Sequence, residues 1–163
     1  RHQAGEVTSA AFLVDMNNVF EEFVVVALRE ELGLDERSFP EQAEGRDLKL
    51  DEDNSIGLQP DLSWWRGGRC VFVGDVKYKR ITAAGINHPD LYQLLAYTVA
   101  TGLPSGTLVY AEGKSGTTEH TVRGIDKKLK VRRLELDQPP EAILSDMREL
   151  AAIIHGSVRQ LSV

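Results

Sequence analysis

Apolar and polar side chains alternate with a helical period in three parts of the chain. These parts are residues 15–32, about 88–100, and 139–157, the last beginning at Pro139-Pro140. Asn17 is a candidate N-cap of the first segment, and Gly33 is a typical C-terminal stop. We therefore predict three helices, of which the last is amphipathic.

Other segments have the pattern of β-strands. We predict strands at residues 56–65, 69–79, 107–111, 119–123 and 130–136. The first two are joined across Arg66-Gly67-Gly68, which is typical of a hairpin. The second is apolar on both faces up to Asp75, so it predicts a central strand covered on both sides. With a short strand and a loop at 34–55 and a glycine-containing loop at 81–87, this order predicts a mixed α/β fold.

Length and composition are those of one ordinary globular domain. The chain has 163 residues, 42% hydrophobic and 27% charged, and we assign residues 1–163 to a single domain. Its longest apolar run, residues 23–28, is too short to cross a bilayer, so no membrane partner is expected. The chain begins at Arg1 rather than Met and has no visible signal peptide. We therefore interpret it as the C-terminal portion of a longer protein.

The chain has a single cysteine, Cys70. One cysteine excludes an internal disulfide, a zinc ribbon and a four-cysteine iron–sulfur site. Cys70 lies in an apolar stretch, so we expect it to fill the core rather than to act as a nucleophile. The absence of disulfides indicates a reducing compartment, hence a cytoplasmic protein.

The net charge of −6 at first argues against a nucleic-acid partner. The acids, however, are clustered at residues 30–31, 35–36 and 51–53. The basic residues form separate clusters: Lys77, Lys79 and Arg80, and then Lys127, Lys128, Lys130, Arg132 and Arg133. Such segregation permits a basic side that faces DNA. Ordinary solvated faces are the alternative interpretation of each cluster.

The candidate chemistry lies at Pro60-Asp61 and Asp75-Val76-Lys77. Side chains alternate along a strand, so Asp75 and Lys77 point the same way. If the hairpin turns around Gly67 or Gly68, Asp61 lies opposite Asp75 to within about one residue. The alternative is that Asp61 is a turn residue, with Asp75 and Lys77 exposed on an edge strand. The apolar run before Asp75 counts against this alternative.

Two carboxylates that meet in a protein interior repel each other and lose hydration, so they need compensation. Hard oxygen ligands select Mg²⁺ or Mn²⁺, and a magnesium site commonly uses one or two carboxylates, waters and substrate phosphate oxygens. Such an ion activates water and neutralises charge on a phosphate, and a nearby lysine stabilises the transition state. This set of residues therefore suits phosphodiester hydrolysis.

Two further features come from helical periodicity. Glu21 falls inside the apolar arc of the first helix, where a carboxylate should be neutral, paired or bound to a metal. It could also bend out to water as a boundary residue. Gln93 and Tyr97 are four residues apart and share one face of the second helix, where an amide and a phenol could bond a phosphate, a base edge or Lys77. A buried tyrosine with a polar neighbour is the alternative.

These residues, in this order, resemble the PD-(D/E)xK nucleases of the RecB-like type, which have a restriction-endonuclease-like mixed sheet flanked by helices. The blocks at residues 15–24, 75–79 and 90–97 resemble more narrowly the McrC family, the nuclease subunits of the modified-cytosine restriction system. The resemblance covers roughly residues 10–112. It implies a Mg²⁺-dependent endonuclease that hydrolyses DNA phosphodiester bonds, in which Mn²⁺ should substitute for Mg²⁺.

The resemblance also implies a role for each residue. Asp61 and Asp75 would bind the metal with the Val76 carbonyl, Lys77 would be the catalytic lysine, and Glu21 would complete or support the site. Gln93 and Tyr97 would orient the substrate or Lys77. The implied partners are DNA and an McrB-like AAA+ GTPase, whose contact region in McrC proteins precedes the part represented here.

Two other functions stay open at this point. One is a stand-alone RecB-like nuclease that needs no GTPase motor. The other is a non-catalytic assembly module that binds DNA or a motor. The complete set of acids and lysine favours an enzyme, because a scaffold has no need to hold these residues together.

Overall fold

The computed structural model describes residues 2–78 and 87–161, except for the side chains of residues 2–4, 6, 7 and 14. In chain order the elements are α1 (His2–Leu32), a 3-10 turn (Glu41–Ala43), β1 (Leu48–Lys49), β2 (Gly57–Leu58), β3 (Leu62–Arg66), β4 (Arg69–Lys77), α2 (His88–Thr101), β5 (Ser105–Ala111), β6 (Gly116–Thr121), β7 (Lys128–Leu134) and α3 (Pro140–Gln160). The predicted mixed α/β fold is therefore confirmed.

Within the described residues, five strands form a mixed sheet in the order β3-β4-β5-β7-β6. Strand β4 pairs antiparallel with β3 and parallel with β5, so it lies inside the sheet, as its apolar sequence predicts. Strands β5 and β7 are also parallel, and β6 closes the far edge antiparallel to β7. Strands β1 and β2 form a separate small hairpin.

Helices cover both faces of this sheet. Val76, Val109 and Leu134 pack in one buried cluster with apolar residues of α1 and α3. Leu108 and Val131 pack with Leu94 of α2 in a second cluster. Asp75 pairs in register with Leu108 and Val76 with Val109. Because paired residues point to the same side of a sheet, Asp75 faces α2.

The first helix is longer than predicted. It begins at His2 rather than near residue 15, so Asn17 is not an N-cap. The side chains of residues 8–13, which include Phe12 and Leu13, are exposed, so this part of the helix adds nothing to the core. The Asn17 side chain instead accepts a hydrogen bond from the backbone N–H of Tyr78 at 3.0 Å, which ties α1 to the end of β4. Gly33 ends the helix with a positive φ of 67°, as predicted.

The predicted strand at 56–65 is two strands, β2 and β3, separated by Gln59-Pro60-Asp61. Proline has no N–H to donate to a ladder, so it interrupts the strand at this point. The hairpin across Gly67 and Gly68 is confirmed. The remaining predicted elements match to within a few residues, while Lys79, Arg80 and most of the loop at 81–87 lie outside the described residues.

The basic cluster at 127–133 does not form one exposed face. Arg132 is 5% exposed, donates to the Thr117 hydroxyl at 3.1 Å and pairs with Glu149 of α3 at 3.3 Å. Lys127 donates to the Leu103 carbonyl at 2.7 Å. Alternation along β7 places Lys128, Lys130 and Arg132 on one face of the sheet and Arg133 on the other.

The predictions for Cys70 and for membrane-spanning segments can also be compared with the structure. Cys70 is buried, as predicted, and burial raises the pKa of its thiol to about 12. In the described part of the chain, no helix is both long and apolar enough to cross a membrane.

The close approach of α2 to β5 at Gly106 gives the first testable prediction. A Cβ added there would meet the Thr98 hydroxyl and, at 2.9 Å, the Leu94 side chain. Gly106→Ala should therefore lower the free energy of unfolding by about 1–3 kcal/mol, the usual cost of overpacking. A Cβ added at Gly156 in α3 meets nothing within 4 Å, so Gly156→Ala should raise the free energy of unfolding by about 0.5–1 kcal/mol. Urea denaturation measures both, and equal stability of the two variants would contradict this packing.

Candidate functional site

Asp61 and Asp75 meet where β3 and β4 run side by side. Leu62 pairs with Gly74, which places Asp61, just before β3, across from Asp75. The Asp61 N–H donates to Asp75 Oδ1 at 3.2 Å, and the Val76 N–H donates to Asp61 Oδ2 at 2.9 Å. The structure therefore brings the two carboxylates together as the hairpin register predicts.

The two carboxylates are poorly hydrated. Asp75 is 2% exposed, and Asp61 is half-buried. Burial, followed by the hydrogen-bonding and charge effects of Asp75 and the charge of Glu21, raises the pKa of Asp61 to about 9, against the opposing effect of the Val76 N–H. Two carboxylates in such surroundings do not both ionise readily unless a positive charge joins them.

Lys77 supplies one such charge. Its Nζ lies 2.9 Å from Asp75 Oδ2. Burial lowers the pKa of Lys77, but the charges of Asp75, Asp61 and Asp90 outweigh this effect and the net change is upward. The side chain is therefore held as an ammonium ion beside the carboxylates, where it can donate to an anion but cannot accept a proton.

Glu21 is buried on α1, as the helical wheel predicts, with 8% of its surface exposed. Its Oε1 accepts a hydrogen bond from Gln42 Nε2 at 3.1 Å. Gln42 and Ala43 have positive φ values of 47° and 54°, a backbone conformation that costs free energy in non-glycine residues. Gln42 was missed by the sequence analysis, because nothing in a polar loop marks a residue as the partner of a distant glutamate.

Gln93 and Tyr97 of α2 line one cavity together, with a volume of about 480 Å³. Gln93 is exposed and Tyr97 is buried. Burial, followed by the charges of Asp75 and Asp61, raises the pKa of the Tyr97 phenol, so these carboxylates lie within electrostatic reach of the cavity wall. The predicted shared face is therefore present, and the lining of its cavity also includes Gln59, two residues before Asp61.

Asp90 and Tyr110 form a buried contact that the sequence analysis also missed. The Tyr110 hydroxyl donates to Asp90 Oδ2 at 2.6 Å and links the start of α2 to β5. Tyr110 pairs in register with Lys77, so it lies beside the lysine on the same face of the sheet. The position of Asp90 in the first turn of a predicted helix was the only hint in the sequence. Its partner Tyr110 could be identified only once the order of the strands was known.

The donor set fits a hard divalent cation. Asp61 and Asp75 offer carboxylate oxygens within one small, poorly hydrated space, which is the ligand type that Mg²⁺ prefers. Among the residues that the structure describes, no three His, Cys, Asp or Glu side chains are grouped to hold a metal ion by themselves. Magnesium sites commonly use only one or two protein carboxylates. Metal binding by Glu21 and by the Val76 carbonyl stays a prediction.

A mixed sheet with helices on both faces, and with the candidate residues on an interior strand, is an α/β fold of the restriction-endonuclease-like class. Residues 1–111 match the family model described as the McrBC 5-methylcytosine restriction system component, and the chain belongs to this family. The expected resemblance to an McrC-type subunit is therefore confirmed.

A solved structure has a similar fold. It is the refined half-complex from a tetradecameric assembly of Thermococcus gammatolerans McrB AAA+ hexamers with bound McrC. The match has 17% sequence identity and a TM-score of 0.60, and it covers 85% of this chain and 33% of the solved chain. The present chain thus spans about a third of the length of that relative. Among curated protein sequences, none matches the chain.

The Asp61 carboxyl generates a pH prediction for the metal-free protein. Its pKa is raised on folding, so the folded state holds a proton that the unfolded state releases above about pH 4. Its contribution to stability is present at low pH and is lost as the pH rises towards 9. Asp61→Asn keeps an acceptor for the Val76 N–H but does not titrate.

In EDTA, the melting temperature of Asp61→Asn relative to the wild type should therefore increase between pH 5 and pH 9. We expect a change of at least about 2–4 °C, the shift that 1 kcal/mol produces in a domain of this size. Glu52→Gln, which changes an exposed acid, is the control. A constant difference across this range would show that Asp61 is not protonated on folding.

Proposed function

We propose that this chain is a Mg²⁺-dependent DNA endonuclease domain, the cleaving part of a GTP-driven, modification-dependent restriction system. The observation that carries the proposal is the pair of half-buried Asp61 and buried Asp75, with the Lys77 ammonium 2.9 Å from Asp75. A structural role alone does not account for two carboxylates held together in poorly hydrated surroundings, because their repulsion destabilises the fold. Family membership supports the restriction system as the setting.

In this proposal Asp61 and Asp75 hold the ion, with Glu21 and the Val76 carbonyl completing or supporting the site. A bound Mg²⁺ supplies an activated water and neutralises charge that develops on the phosphate. The chain fixes the ligands before the ion arrives. The Val76 N–H holds Asp61 Oδ2, the Asp61 N–H holds Asp75 Oδ1, and Gln42 holds Glu21.

Lys77 acts in this proposal as a fixed positive charge beside the scissile phosphate. The ammonium stabilises negative charge that builds on the phosphate oxygens, and the low local dielectric strengthens this effect. Gln93 and Tyr97 orient the substrate strand from α2. The cavity that they line includes Gln59, two residues before Asp61, so in this proposal one strand contacts both the cavity and the carboxylates.

The proposed partner is an McrB-like AAA+ GTPase. The solved relative is titled as McrB AAA+ hexamers with bound McrC, and this chain covers about a third of the chain it matches there. Regions outside the present chain would therefore contribute to contact with the motor. Recognition of modified DNA belongs in this proposal to another part of the machine, and this chain performs the cut.

Cleavage assays test the catalytic assignment. The full-length protein, with its GTPase partner, GTP and Mg²⁺, should cut methylated DNA. Asp75→Asn and Lys77→Met should each lower the cleavage rate by at least about 100-fold, as the loss of one transition-state contact does in other enzymes. Lys114→Met, at an exposed lysine, should cleave at the wild-type rate. Circular dichroism should show that all variants are folded. Cleavage that survives either active-site substitution contradicts the proposal.

Metal binding can be measured without any DNA. A ligand that binds only the folded state stabilises it, by about 2.7 kcal/mol at a concentration of 100 times Kd. Mg²⁺ or Mn²⁺ should therefore raise the melting temperature of the wild-type protein, and Asp61→Asn should lose most of that rise. Glu52→Gln should retain it. A rise that is equal in all three proteins would place the ion elsewhere.

A further inference from the structure

The cavity lined by Gln93 and Tyr97 also has walls that the catalytic scheme does not use. It lies between the β1–β2 hairpin, which supplies Leu48, Lys49 and Leu58, and α2, which supplies Gln93 and Tyr97. Its volume of about 480 Å³ is within the range of small-molecule sites. The walls therefore combine an apolar side, polar side chains that can hydrogen-bond and a flexible cation.

The apolar wall comes from a register pair. Leu48 lies opposite Leu58 in the two-stranded hairpin, so their side chains are neighbours on one side of the cavity. Asp51 fixes the turn of this hairpin by accepting hydrogen bonds from the backbone N–H groups of Ser55 and Ile56. Hydrogen bonds from Ser55 and Ile56 lower the pKa of Asp51 to about 2, so this turn contact is present at neutral pH.

The cations of the cavity differ in their freedom. The Arg46 guanidinium lies over the Trp65 ring at 4.8 Å and donates to the Arg37 carbonyl at 3.1 Å, so it is already held. Lys49 pairs at 3.2 Å with Asp47, whose side chain is 82% exposed. Water screens such a pair, and it is worth little free energy. Lys49 can therefore leave Asp47 for a phosphate.

The opposite wall carries groups that hydrogen-bond. Gln93 offers an amide donor and an amide acceptor from an exposed position on α2, and Tyr97 offers a hydroxyl. Gln59, which also lines the cavity, is two residues before Asp61. The cavity lining is thus close along the chain to the candidate metal ligand Asp61.

We infer that this cavity receives one unpaired nucleotide of the DNA strand that is cut, next to the scissile phosphate. The inference rests on the proposed function and names the substrate form that the same site takes. Lys49 would hold the phosphate, Leu48 and Leu58 the face of the base or sugar, and Gln93 the edge of the base. The face of a base inside a duplex is covered by its stacked neighbours, so Leu48 and Leu58 can contact that face only if the nucleotide is unstacked.

Binding to short fluorescein-labelled DNA, followed by anisotropy in EDTA, tests the inference without cleavage. The full-length protein is used, with single strands of about 12 nucleotides, a length within the range of single-strand sites. Lys49→Gln should weaken binding and lower the slope of log K against log salt by about 0.7, the change for one single-strand phosphate contact. Lys114→Gln should change neither quantity.

Leu58→Trp should fill the cavity and weaken binding with the salt slope unchanged, whereas Leu144→Trp, at a leucine 46% exposed on α3, should not. Strands carrying one abasic position are the decisive probe. For the wild type, loss of the base at one particular position should weaken binding by about 5- to 150-fold, which corresponds to the free energy of one stacked base. Leu58→Trp should abolish this dependence on position.

Two outcomes overturn the inference. In one, Lys49→Gln and Leu58→Trp bind like the wild type. In the other, all abasic positions are equivalent, which indicates contact with the backbone alone. A cleavage assay of the Asp75→Asn variant distinguishes failure of this inference from failure of the proposed function. If Asp75→Asn is inactive while the cavity variants bind normally, the inference fails and the endonuclease assignment stands.

Discussion

The rest of the site depends on one unfavourable contact, the approach of two carboxylates in poorly hydrated surroundings. Asp75 accepts the N–H of Asp61, and Asp61 accepts the N–H of Val76, so each carboxylate is held by the backbone beside the other. Backbone donors offset part of the repulsion, and Lys77 offsets more. The burial and repulsion that remain raise the pKa of Asp61. A site of this kind favours a cation before any substrate is present.

The sheet is built to hold that contact. Strand β4 is paired on both sides, so Asp75 cannot turn to bulk water as a residue of an edge strand could. Gly74 immediately before it allows β4 to approach β5, since a Cβ there would lie 2.6 Å from the Thr107 carbonyl oxygen. Pro60 ends the preceding strand and leaves Asp61 free to turn towards Asp75. The pair therefore results from strand order and two backbone-specific residues.

Periodicity predicts what is local, and it succeeds for these elements. The apolar pattern of β4, the hairpin at Gly67 and the burial of Glu21 follow from spacing alone. Contacts between segments that are distant in the chain do not follow from spacing. Asn17 has the residue type of a helix cap, yet it accepts the N–H of Tyr78, and Gln42 has no pattern at all. Each depends on which loop passes which helix, and that is decided by the whole core.

The charge of the chain illustrates the same limit and bears on its partner. A net charge of −6 argues against DNA only if the charges are spread evenly. Here Asp51 and Asp35 accept backbone N–H groups in surface turns, so their charges serve local structure. The buried Arg132 side chain forms an ion pair with Glu149 of α3, so it is not available to a partner. Among the described cations, Lys49 and Arg46 line the cavity and Lys77 lies beside the carboxylates. Local placement, rather than the sum, determines whether a polyanion can approach.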